Sequence, residues 1–142
     1  MQTKSLESSQ VPVQENGRFL RNVLRANAIF STVSGVFVIL FAKSVAQLIA
    51  LENPLLLIAL GIDLLPFAFF VYKVSAMETL NSKWVWVIIE MDILWVVSSV
   101  VLLFSNIVPF TTAGMWMIGL LAEVVAIFAV LEYVGLRKAQ RE

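Results

Sequence analysis

Four long apolar runs, residues 23–42, 54–72, 84–104 and 113–134, constrain this chain more than any other feature. A helix needs about 20 apolar residues to cross the hydrocarbon core of a bilayer. Each run meets that length. A single run of this kind could be a buried helix of a soluble protein, but four within 142 residues are hard to place in one. The hydrophobic fraction of 60% also exceeds the roughly 45–50% of soluble domains. The expected fold class is all-α: a four-helix transmembrane bundle occupying residues 18–138 as one domain. A flexible polar tail (1–17) is expected before it and a short tail (139–142) after it. The polar start lacks the charged, apolar and small-residue succession of a signal peptide.

Basic and acidic residues balance at ten each, but the basic ones are unevenly placed. Lys4, Arg18, Arg21 and Arg25 precede the first run. Lys73 and Lys83 lie in the loop between the second and third, and Arg137, Lys138 and Arg141 follow the fourth. Only Lys43 falls in the other two loops. Cytoplasmic loops are enriched in Lys and Arg, so both termini are expected in the cytoplasm, with the bundle in a cell inner (plasma) membrane. Arg18, Arg21 and Arg25 recur at helical spacing and can meet anionic headgroups, at about 1 kcal/mol each. The chain contains no Cys and no His. Thiol redox chemistry, thiolate metal sites and His-ligated haem or zinc are thereby excluded. No cofactor, metal or nucleic-acid partner is expected; the lipid bilayer is.

Polar residues inside the runs carry the remaining information. In the first, Asn27, Ser31 and Ser34 form one stripe, and Ser31 with Gly35 makes a small-residue pair that allows close helix approach. Residues 43–53 place Val45, Leu48 and Ile49 on one face, as in a short helix lying in the outer interface. Asn53-Pro54 reads as the turn into the second run. That run contains Gly61, Asp63 and Pro66, and Pro66 leaves the carbonyl of Ile62 without its usual partner.

A carboxylate at the centre of a membrane helix costs about 2.5–3.5 kcal/mol on the insertion scale. Asp63, Asp92 and Glu123 fall deep in three different runs and are expected to face one another near the middle of the bundle. Glu90 lies about 200° around the helix from Asp92, so it is expected on a flank, facing lipid or a second subunit. Glu132, close to Arg137 and Lys138, is expected at the cytoplasmic interface with no special role. Carboxylates clustered in low dielectric cannot all stay ionised. They either hold protons in hydrogen bonds to neutral neighbours or bind a cation. Asn27 and Ser99 are the expected neutral partners, Ser99 sharing a stripe with Asp92 and Trp95. Aligning Asn27 over Asp92, and Asp63 over Glu123, hints at two tandem hairpins in a 2+2 parallel repeat.

Three segments carry a resemblance: Arg25-Ala26-Asn27-Ala28 with Ser34-Gly35, Asp92-Ile93-Leu94-Trp95-Val96 with Ser98-Ser99, and Gly135-Leu136-Arg137-Lys138. Over most of residues 18–138 the chain resembles the small four-helix integral membrane proteins of unknown function found widely in bacteria. The resemblance implies a multi-pass bacterial inner-membrane protein and brings no activity with it.

The leading expectation is a protein that binds or conducts a proton or small cationic ligand at Asp63, Asp92 and Glu123. A transporter built from four short helices would be a homo-oligomer. The competing expectation is a non-catalytic structural or assembly protein whose protonated acids are helix-packing contacts. An enzyme is not expected, because no nucleophile, metal set or cofactor motif accompanies the acids.

Overall fold

The computed structural model describes the backbone of residues 2–141 and the side chains of residues 17–141. The described chain forms helices α1 (Gln2–Leu40), α2 (Ala42–Ile49), α3 (Leu55–Ser75), α4 (Ser82–Ser105) and α5 (Thr112–Gln140). Four segments are long and apolar enough to cross a membrane: Gly17–Leu40 of α1, then α3, α4 and α5, with mean hydropathies of 1.8, 2.3, 2.3 and 2.2. The helical backbone of α1 begins at Gln2, within the polar stretch that composition alone marks as a tail.

Local chemistry sets the helix ends. Asn81 caps α4, its Oδ1 accepting from the Lys83 N–H at 3.0 Å. Thr111 caps α5, its Oγ1 accepting from the Gly114 N–H at 3.0 Å. The same Thr111 hydroxyl donates to the Leu48 carbonyl, so it ties the end of α2 to the start of α5. Asn53 Oδ1 accepts from the Leu55 N–H at 3.0 Å, which forms the expected turn through Pro54. α2 ends with Ala50 at φ 59°. The Leu51 N–H reaches the Ala46 carbonyl at 2.8 Å and the Ala50 N–H the Gln47 carbonyl at 3.3 Å, the paired bonds of a left-handed helix stop. At the C-terminal end of α3, the Arg21 guanidinium donates to the carbonyls of Ser75 at 3.0 Å and Glu78 at 2.6 Å, and also to that of Met77. A cation is favourable where helix carbonyls are left without partners.

The short helix α2 exists as expected, but its buried face is Ala42, Val45, Ala46 and Ile49. Leu48 points outward. Gly114 permits the close approach of Ile49: a Cβ there would sit 2.8 Å from Ile49 Cα.

Packing is uneven around the bundle. α1 packs extensively on α3 and also on α5, α5 packs on α4, and α3 barely touches α4. The closest backbone approach joins α1 and α3. A Cβ on Gly61 would lie 2.8 Å from the Gly35 carbonyl oxygen and 2.6 Å from Ile39 Cγ1. Small residues at both positions are what permit this contact. Two apolar clusters occupy the two ends. Leu20, Leu24, Ala28, Val71, Val74, Val85, Ile88, Ile89 and Leu136 fill the end bearing most of the basic residues. Ala42, Val45, Ala46, Ile49 and Leu57, backed by Val38, Phe110 and Met117, fill the other. The outer surface is apolar as well, with Leu40, Phe69, Leu94, Phe104, Trp116 and Val130 all exposed. An apolar patch of this extent is a liability in water and is ordinary against lipid.

Candidate functional site

Three helices bring one polar residue each to the same level. Asn27 lies ten residues past Gly17, Asp92 ten past Ser82, and Glu132 eight before Gln140. The helix rise puts all three roughly 12–15 Å from the basic end. Asn27, Asp92 and Glu132 are buried, with exposures of 3%, 4% and 0%. The Asn27 amide nitrogen donates to Asp92 Oδ2 at 2.8 Å and to Glu132 Oε1 at 2.7 Å. Its own Oδ1 accepts from the Ser31 hydroxyl at 3.2 Å. Sharing the one Asn27 amide nitrogen brings the two carboxyl groups next to each other. Glu132 Oε2 is buried and has no hydrogen-bond partner. Among the described residues no Lys or Arg bonds to either acid.

Sequence periodicity explains why α5 turns Glu132 inward. Ala122, Ala129 and Leu136 are buried at intervals of seven, and Glu132 stands beside them on that seam. Small alanines let α5 approach its neighbours closely enough for a long acidic side chain to reach Asn27 on α1. Glu132 is therefore buried rather than at the expected interface, and its basic neighbours along the chain point elsewhere: Arg137 lies over the Tyr133 ring and Lys138 over the Phe19 ring. On α4, Asp92 continues the buried face of Val85, Ile88 and Ile89.

The other expected site residues are placed differently from one another. Asp63 is exposed, but it lines the same cavity as Asn27 and Asp92. Ser99 is half-buried and donates to the Trp95 carbonyl of its own helix at 2.8 Å. Glu123 is exposed on the outer side of α5, in a shallow groove with Thr112, Met115, Trp116, Gly119 and Leu120. The structure therefore brings Asn27 and Asp92 together, sets Asp63 nearby, and leaves Glu123 and Ser99 apart from the cluster. Glu90 is exposed on its flank, on the side away from Asp92. The residue that sequence reasoning passed over is Glu132.

A cavity of about 420 Å³ adjoins the cluster. Asn27, Ser31, Ser34 and Asp92 supply its polar surface, with Asp63 at one side. Phe30, Phe67, Phe70 and Trp95 supply aromatic walls, and Leu60, Leu64, Leu121 and Val125 aliphatic ones. No lining residue is basic. Comparison of the chain with protein-family models, curated proteins and solved structures finds no match.

Proposed function

We propose that this multi-pass membrane protein binds a proton within its bilayer-spanning region, on the Asp92–Glu132 pair, as part of handling a small cationic species. The observation that carries the reading is the fully buried, unpartnered Glu132 Oε2 beside Asp92. Two ionised carboxylates at this separation repel each other, and one amide cannot offset both charges. A single proton held between them removes one charge and supplies the missing hydrogen bond. In this reading both ends of the chain face the cytoplasm of an inner-membrane protein, because nine of the ten basic residues lie on that side of the bundle.

The second reading, neutral acids acting only as packing contacts, draws support from the way the Asn27 bonds join α1, α4 and α5. One experiment separates the two. Infrared difference spectra of the purified protein in lipid, recorded across pH, should show a protonated carboxyl band that bleaches as pH rises. That band should disappear in both Asp92→Asn and Glu132→Gln. A band that survives in both variants, or one that never responds to pH, would sink the proton-exchange reading.

A further inference from the structure

The cavity has an unusual pattern of openings. The cluster of Leu20, Val71, Ile88 and Leu136 closes the basic end of the bundle, and that of Ala42, Ile49 and Leu57 closes the other. Its lining comes from all four spans, but α3 and α4 scarcely meet. Of the lining residues on those two helices, Asp63, Pro66 and Met91 are exposed. The mouth therefore opens sideways between α3 and α4, toward the surface that lipid covers. A strongly hydrated metal ion would have to shed its water before reaching such a mouth, whereas a solute that partitions into lipid arrives there directly.

We propose that this cavity is a binding site for a lipophilic organic monocation, an aromatic or alkyl body carrying one ammonium-type charge. Three features of the cavity specify that class. The volume of about 420 Å³ lies within the range of small-molecule sites, roughly 300–1,000 Å³. Phe30, Phe67, Phe70 and Trp95 offer ring faces, which attract cations as well as apolar bodies. Asp92 reaches the cavity from inside and Asp63 stands at its mouth, with no basic residue among the lining to oppose a positive charge. The inference rests on the proton-holding pair proposed above: with one proton shared, Asp92 and Glu132 retain one negative charge at the inner end of the cavity, the counter-charge of one cation, while Asp63 is exposed at the mouth and attracts the cation there. A neutral guest would leave that charge uncompensated in the low-dielectric interior of the bundle.

The test uses the full chain in lipid nanodiscs and radiolabelled benzyltrimethylammonium as the probe. Saturable binding is expected, displaced by the unlabelled cation but not by neopentylbenzene, the neutral isostere in which carbon replaces nitrogen. Asp92→Asn preserves side-chain shape and moves the remaining charge off the cavity wall onto Glu132, which does not line it, so binding should weaken on the order of tenfold or more. Asp63→Asn, at the exposed mouth, and Trp95→Leu should each weaken it several-fold, while Glu90→Gln on the outer flank should leave it unchanged. Displacement by neopentylbenzene as effective as that by the cation would overturn the proposal. So would unaltered affinity in both Asp92→Asn and Asp63→Asn, or no saturable binding to the unsubstituted chain. If binding is absent while the carboxyl band persists and titrates, the cation site falls and the proton reading stands. If binding follows the expected pattern while no titrating band is found, the proton reading falls and with it the charge count that specifies a monocation.

Discussion

Asn27 does more for the polar cluster than either acid. Its amide nitrogen donates to both Asp92 and Glu132, and its oxygen takes the Ser31 hydroxyl. Leucine has a similar size and no donor, so Asn27→Leu would leave two buried carboxyl oxygens without that bond. Hydrogen bonds to charged groups contribute about 1.5–3 kcal/mol each. The substitution should therefore lower stability by about 2–4 kcal/mol, read as a fall in the unfolding free energy of the detergent-solubilised protein. Glu123→Gln, on the exposed side of α5, should change it by no more than about 0.5 kcal/mol. Equal losses in the two variants would refute the placement of the cluster. The participation of Asn27 and Asp92 was legible in the sequence, because each continues a buried helical stripe within an apolar run. That of Glu132 was not. Its nearness along the chain to Arg137 and Lys138 suggested a place at the membrane surface, paired or hydrated, but Glu132 is buried and both cations project onto aromatic rings. The signal that would have found it is the spacing of Ala122, Ala129 and Leu136, which marks the packed seam of α5 and puts Glu123 on the opposite side.

At the level of helices, the bundle is held by small residues where backbones cross and by polar side chains where helices stop. The four spans and the amphipathic α2 follow from length and apolar pattern alone. What pattern could not supply is which helices lie side by side, since apolar runs look alike from every direction; the glycines decide it. Gly61 meets Gly35 across the α1–α3 contact. Gly61→Val would push a side chain into the Gly35 carbonyl, a backbone atom that cannot rotate away. Overpacking of this kind costs about 1–3 kcal/mol, and a matching drop in thermal stability is expected in detergent or nanodiscs. Gly119 provides the counterpart, because a Cβ there meets nothing within 4 Å. Replacing glycine by alanine inside an open stretch of helix gains about 0.5–1 kcal/mol, so Gly119→Ala should be neutral to stabilising in the same assay. If Gly61→Val were as benign as Gly119→Ala, α1 and α3 would not be in the contact described.

For the molecule as a whole, the arrangement of helices and the distribution of charge make one joint statement about the membrane. Four candidate spans, if all cross the bilayer, return the chain to the side from which it started. The loop between α3 and α4 joins both ends on that side, and the loops around α2 and between α4 and α5 occupy the other. Of the ten basic residues, nine belong to the first set, and an excess of Lys and Arg marks cytoplasmic segments. The absence of native cysteine makes the consequence directly measurable, since any thiol introduced is the only one in the chain. Asn81→Cys and Gln140→Cys should be protected from a membrane-impermeant maleimide in intact cells and should react once the membrane is permeabilised. Asn53→Cys and Asn106→Cys, both exposed near the opposite ends of the spans, should react in intact cells. Reaction of Asn81→Cys but not Asn53→Cys before permeabilisation would invert the orientation while keeping the four spans. Protection of Asn53→Cys together with reaction of Asn106→Cys would break the pairing of the two loops, and with it the four-span arrangement on which the lateral mouth between α3 and α4 depends.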